Sequence, residues 1–242
     1  LFYFAGHGII NPDTNAGYIV SQDGRSGAWG MPLSEILGLA NDAYPRIKSS
    51  VIILDACHSG YAGEIAGHPK GSPSSIGTGV TILTASHRDG LASEGLSHGL
   101  FTEILIDGLQ GGCSDILGNI TPAALYSHVD QTLGPWEQRP LYKANVQSFV
   151  TLRQVNPKVP LPVLRRLPDY FSDRALVYSL DPSYEEDRRN VPELHHAPVN
   201  PNNVRIFKDL QCCNRHGLIV PVDADHMYYA AINSKGCRLT AL

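Results

Sequence analysis

Four short apolar runs punctuate the first part of the chain, at residues 1–5, 51–56, 80–85 and 146–152. Each is rich in Val, Ile, Leu or aromatic residues and nearly continuous in its apolar character. That pattern predicts strands buried on both faces of a parallel sheet. Between the runs the spacing turns helical. Behind Pro32, the residues Leu33, Ile36, Leu37 and Ala40 fall on one helix face up to Ala43, and the proline suits a first helical turn. Over 99–110, Leu100, Ile104, Leu105 and Leu109 do the same. Thr121-Pro122 supplies a cap and a first-turn proline for a third helix over 121–133. Strands alternating with helices predict an α/β domain with a mostly parallel sheet.

Two stretches break this rhythm. Residues 59–79 are dominated by Gly, Ser and Pro and read as a mobile surface loop. Residues 154–203 carry prolines at 157, 160, 162, 168, 182, 192, 198 and 201, with charges clustered from Glu185 to Arg189. They read as a linker with one short helix near 162–179. Order returns over 204–242. Val204, Phe207 and Leu210 are spaced for a helix, and Leu218 to Val220 read as a strand. Met227 to Ile232, a turn over 233–236 and Cys237 to Leu242 read as a hairpin. Helix, strand and hairpin together resemble the later part of a winged-helix domain, a small α+β module. The expected organisation is therefore a domain over 1–153, a Pro-rich linker over 154–203 and a module over 204–242. Residue 1 falls inside a core strand and the last residues stop mid-pattern, so a fragment of a longer protein is expected, truncated at both ends.

Composition narrows the class. The chain has 242 residues, enough for one good-sized domain or a domain plus a small partner, and 43% hydrophobic with 17% charged residues is ordinary for a globular protein. A net charge of −4 argues against a surface that coats nucleic acid generally. No apolar stretch approaches the ~20 residues of a membrane helix. The five cysteines, Cys57, Cys113, Cys212, Cys213 and Cys237, are too few and too irregular for a disulfide framework. A reducing, cytoplasmic compartment fits them and fits a thiol nucleophile.

The chemistry sits where two of the apolar runs stop. Phe2-Tyr3-Phe4-Ala5-Gly6-His7-Gly8 ends on an imidazole between glycines, and Val51-Ile52-Ile53-Leu54-Asp55-Ala56-Cys57-His58-Ser59-Gly60 ends on a thiol beside small residues. Cysteine and histidine at the ends of two buried strands make a nucleophile and its base. His7 precedes Cys57 by 50 residues, the order and approximate interval found in caspases. The pair resembles the catalytic dyad of the caspase-like cysteine peptidases, and the Asp-x-Cys-His-Ser-Gly form looks most like metacaspases. The resemblance covers about residues 1–153. Cys57 is followed by His-Ser-Gly, not the Arg-Gly of animal caspases, so cleavage after Asp is not expected.

The resemblance implies a set of roles. Cys57 is the nucleophile and His7 the base and later acid. Gly8 and Cys57 lend backbone N–H groups to the oxyanion hole. Asp55 lies two residues before Cys57 and so on the same side of a strand; a carboxylate ending an apolar run is costly without a partner. It is either a satisfied strand end or the acid of a pocket for a basic residue, as in metacaspases and paracaspases. Ala85 and Ser86 match positions that pair with extended substrate. Glu94 matches a second acidic pocket position, or is a solvated loop carboxylate. The succession from Ala85-Ser86 through Glu94 to His98-Gly99-Leu100-Phe101-Thr102 resembles the small-subunit half of these peptidases. His58, next to Cys57, points to the opposite side and reads as structural. Gln138-Arg139-Pro140 reads as structural too.

The expected activity is cysteine endopeptidase cleavage after Arg or Lys, with a protein or peptide substrate. Lys70, in the 59–79 loop, marks a candidate self-processing position. The competing class is a non-catalytic scaffold with the same fold. Its tail could meet DNA or a protein partner through Arg205, Lys208, Arg215, Lys235 and Arg238, or those residues are a solvated face. No cofactor is called for, and a calcium requirement is not readable. His7, Cys57, His58 and His87 form a rival metal set, but they lack the short paired spacings of zinc sites.

Overall fold

The computed structural model describes residues 1–14, 16–25, 27–56, 75–85, 99–135, 139–194, 196 and 198–240. The chain divides into two compact units, Leu1–Val155 and Asn156–Leu242.

Unit 1 is built on a four-stranded sheet. Its strands are β1 (Phe2–Gly6), β5 (Ser50–Ala56), β6 (Val80–Thr84) and β8 (Leu141–Asn145), in the order β1-β5-β6-β8. β1, β5 and β6 run parallel, and β8 closes the far edge antiparallel to β6. β5 and β6 are buried on both faces, which explains their unbroken apolar character. Alternate residues feed two separate cores. Ile52, Leu54, Val80 and Ile82 pack with Leu33, Ile36 and Leu37 of helix α1 (Leu33–Asp42). On the other face, Val51, Ile53, Leu83 and Ala85 meet Phe101, Ile104 and Leu105 of α2 (Leu100–Asp107) and Leu125 and Val129 of α3 (Pro122–Thr132). The result is a helix–sheet–helix sandwich, as the alternation of elements predicted.

Local signals set the helix starts. Thr121 Oγ1 accepts the Ala124 N–H at 3.1 Å and Pro122 occupies the first turn of α3. Gly79 has φ +83° just before β6, and a Cβ there would collide with the Lys48 carbonyl. Its N–H donates to Asn145 O at 2.6 Å and its carbonyl accepts from Ser50 N at 2.8 Å, so this one turn joins the starts of β5 and β6 to the end of β8.

Three features depart from expectation. The strand predicted at 146–152 lies instead at Leu141–Asn145. Val146 and Phe149 are 44% and 73% exposed, while Val150 and Leu152 pack onto the α2–α3 core without a ladder. Hydrophobicity alone did not separate a strand from a segment that merely rests on a core. The segment between β1 and α1 forms a second sheet: β2 (Gly8–Ile10), β3 (Gly17–Arg25) and β4 (Ala28–Pro32), all antiparallel, with Tyr18 edge-on to Trp29. Helix α2 runs into a π-helical turn, Gly108–Gly112, where Gly111 adopts φ +130°. The remaining pair in this unit is β7 (Asn119–Ile120) with β9 (Arg153–Gln154). The described part of the predicted 59–79 loop is only 75–79, and Lys70 lies outside the described residues.

Unit 2 includes most of the segment expected to be a linker. It contains α4 (Leu161–Tyr170), β10 (Tyr178–Ser179), α5 (Pro201–Arg215), β11 (Ile219–Val222), α6 (Met227–Ile232) and β12 (Gly236–Leu239). The prolines act as starters: Pro160 and Pro162 open α4, Pro182 opens a short helical turn capped by Asp181, and Pro201 follows the Asn200 cap of α5. The expected hairpin strand 227–232 is the helix α6, with Met227, Ala230 and Ala231 buried on one side. β12 pairs with β11 and β10 in the order β10-β12-β11. Beneath this sheet, Asp209 is clamped by Arg166 (Nε to Oδ2 2.7 Å, Nη2 to Oδ1 2.9 Å) and by the Tyr170 hydroxyl at 2.9 Å.

Candidate active site

The site lies at the carboxyl ends of β1 and β5. Their parallel register pairs Ala5 with Asp55 and Gly6 with Ala56. The next residue after β1 is His7, and the next in sequence after Ala56 is Cys57. Open parallel sheets present ligand-binding groups at this edge. Cys57, His58, Ser86, His87 and Glu94 lie outside the described residues.

His7 is exposed. Its carbonyl accepts the Val20 N–H at 2.9 Å, which ties the strand end to β3. That bond flanks the Gly8–Ile19 pair, the pattern of a non-hydrogen-bonded antiparallel pair, in which the Gly8 N–H is directed away from β3. Ala85 is buried at the end of β6, and its N–H donates to Leu54 O at 2.9 Å. Any backbone bond from Ala85 to a ligand therefore falls to its carbonyl.

Asp55 is 7% exposed, on the sheet face that carries α2. Thr102, in the first turn of α2, donates its hydroxyl to Asp55 Oδ2 at 2.5 Å. The Tyr3 hydroxyl lies 2.7 Å from Thr102 Oγ1. A threonine hydroxyl has one proton, and here it is given to Asp55, so Tyr3 is the donor in the second bond. Gly99 packs directly against the carboxylate: a Cβ there would overlap Oδ2. Among the described residues no Lys, Arg or His is paired with Asp55. Sequence reasoning singled out the stretch containing Gly99 and Thr102 without giving either a role, and it missed Tyr3. The signal available was the identity of the residues; the contact itself joins positions 99 and 47 apart in the chain.

Arg139 has the structural role expected of it, donating to Asp130 O at 2.7 Å and Gly134 O at 3.2 Å to fasten the end of α3. Among the described residues no group of three or more His, Cys, Asp or Glu is placed to hold a metal ion. No helix among them is long and apolar enough to cross a membrane. Of the tail cations, Lys208 is paired with Glu186 at 2.8 Å.

A mostly parallel sheet between helix layers, with a histidine and a cysteine next in sequence after adjacent strand ends, fits the peptidase fold that the sequence resembles. The comparison with protein families agrees: the model of the caspase domain matches residues 1–151. The chain belongs to this family of cysteine peptidases. No curated protein matches the chain.

Proposed function

We propose that the protein is a cysteine endopeptidase that cleaves after Arg or Lys through a Cys57–His7 dyad. The observation that carries this reading is the β1–β5 register, which runs up to Gly6 and Ala56, one residue short of His7 and Cys57. Two residues that each follow one member of a paired couple in a parallel ladder start from backbones about 4.8 Å apart. Asp55, buried at the same strand end without a described cationic partner, supports a basic residue before the scissile bond.

The reaction then runs in two halves. The Cys57 thiolate attacks the carbonyl carbon, and the Gly8 and Cys57 amides receive the developing oxyanion. One such donor is worth about 3 kcal/mol in the transition state. The C–N bond breaks as His7 gives a proton to the leaving amine. Water, deprotonated by His7, then attacks the thioester, and the C–S bond breaks to free the acid and the thiol. Glu94 and the carbonyls near Ala85 and Ser86 belong to substrate binding in this reading. Lys70 is its candidate self-processing position.

The test uses fluorogenic peptides ending in Arg, Lys or Asp. Cys57→Ala abolishes turnover, and unchanged turnover rejects the dyad. Asp55→Asn removes the preference for Arg and Lys, and a retained preference removes Asp55 from the pocket.

A further inference from the structure

We propose that Thr102, backed by Tyr3, is a positioning residue for specificity: it holds the Asp55 carboxylate by Oδ2 so that a guanidinium or ammonium meets it at Oδ1. The proposal rests on reading Asp55 as the acid that receives the basic side chain.

The relay has one direction. Tyr3 donates to Thr102 Oγ1 at 2.7 Å, and Thr102 donates to Asp55 Oδ2 at 2.5 Å. The line ends at the Asp55 carboxylate, and an ionised carboxylate has no proton to give and only accepts. The short second bond has the length of a hydroxyl-to-carboxylate contact, the strong kind. Gly99 closes the Oδ2 side further, since its backbone lies where a side chain would otherwise push the carboxylate aside. Among the described residues no donor is bonded to Oδ1. Two neutral hydroxyls orient a buried carboxylate but do not neutralise it. In this proposal the cation of the substrate meets the carboxylate at Oδ1, the oxygen the relay leaves without a hydrogen bond among the described residues.

Three elements of the fold supply the parts. Tyr3 stands on the edge strand β1 on the same sheet face as its ladder partner Ile53, and Asp55 follows two residues further along that face. Thr102 comes from α2, which is anchored on that face by Phe101, Ile104 and Leu105. A carboxylate at a strand end rotates about its own Cα–Cβ and Cβ–Cγ bonds. Holding one oxygen from a packed helix removes that freedom before substrate arrives.

The experiment compares Thr102→Val, Thr102→Ser and Tyr3→Phe with the unmodified protein and with Asp55→Asn, on Arg-ended and Lys-ended fluorogenic peptides. The valine variant is expected to raise KM about tenfold, the loss of one charge-assisted hydrogen bond. The loss falls on KM rather than kcat. Thr102→Ser restores KM. Tyr3→Phe, at an exposed position, raises KM by a smaller factor. In an Asp55→Asn background Thr102→Val adds nothing. If Asp55→Asn loses basic selectivity while Thr102→Val and Tyr3→Phe leave KM unchanged, the relay is overturned and the pocket stands. If Asp55→Asn keeps its preference for Arg, the pocket reading fails, and the relay with it.

Discussion

Gly99→Ala sets two physical effects against each other at one position. Gly99 has φ −57° and ψ 139°, a conformation any residue adopts. By backbone entropy alone, alanine there stabilises the fold by ~0.4–1 kcal/mol. The new Cβ, however, overlaps Asp55 Oδ2 and stands 3.0 Å from its Cγ and 3.1 Å from Oδ1. The carboxylate has little freedom to retreat, because Thr102 holds it at 2.5 Å. Either the hydrogen bond breaks, at ~1.5–3 kcal/mol for a charged acceptor, or the start of α2 shifts, at ~1–3 kcal/mol for overpacking. The contact outweighs the entropy, and the net expectation is a loss of ~1–2 kcal/mol. Both tryptophans, Trp29 and Trp136, belong to unit 1, so fluorescence-detected urea unfolding of the full chain reports this unit selectively. At a slope of ~2 kcal/mol per molar urea, the midpoint falls by ~0.5–1 M. The same displacement lowers kcat/KM for Arg-ended peptides about tenfold. A variant with a higher urea midpoint and unaltered kcat/KM would refute the reasoning, since it would mean the carboxylate is not held against this backbone.

Two further expectations concern unit 2. Asp209→Asn takes the charged acceptor away from Arg166 and the Tyr170 hydroxyl, so helix α5 is expected to lose stability, by less than for a fully buried pair because Arg166 is a third exposed. Amide hydrogen exchange over Pro201–Arg215 in the intact chain should speed up accordingly, and unchanged protection would show that the clamp contributes little. Burial raises the thiols of Cys213 and Cys237 to about 11 and about 12, so both stay protonated at neutral pH. Iodoacetamide at pH 7.5, followed by peptide mass mapping, should leave both unmodified in the folded chain. Because their folded values lie above the ordinary thiol range, their contribution to stability is complete at neutral pH and is lost as pH rises through those values. Rapid labelling of Cys237 in conditions that leave the protein folded would contradict the burial.

Much of unit 1 was legible before any coordinates. The runs at 51–56 and 80–85 matched β5 and β6 because strands buried on both faces must be apolar at every position; the run at 1–5 matched β1, but as an edge strand with most of its residues exposed, not as one buried on both faces. Helices α1, α2 and α3 were legible because each buries one stripe and because prolines and Thr121 mark their starts. The tail was less so. Met227-Tyr228-Tyr229-Ala230-Ala231-Ile232 is a short apolar run that suits a strand or a helix equally. The buried set Met227, Ala230 and Ala231 shows the helical interval that the aromatic content disguised. The prolines of 154–203 suggested a linker by their number, yet several occupy first helical turns, where proline costs nothing.

The order of residue types along the chain determined which segments are strands, which are helices, and that an imidazole and a thiol each follow an apolar run. These are local properties, written in intervals of two or about 3.6 residues. Only the tertiary structure decided that Tyr3, Asp55 and Thr102 form one hydrogen-bonded line, that Gly99 lies against a carboxylate, and that β8 closes the sheet in place of 146–152. Such pairings depend on which faces of distant elements exclude water together, and no short-range interval in the sequence records that choice.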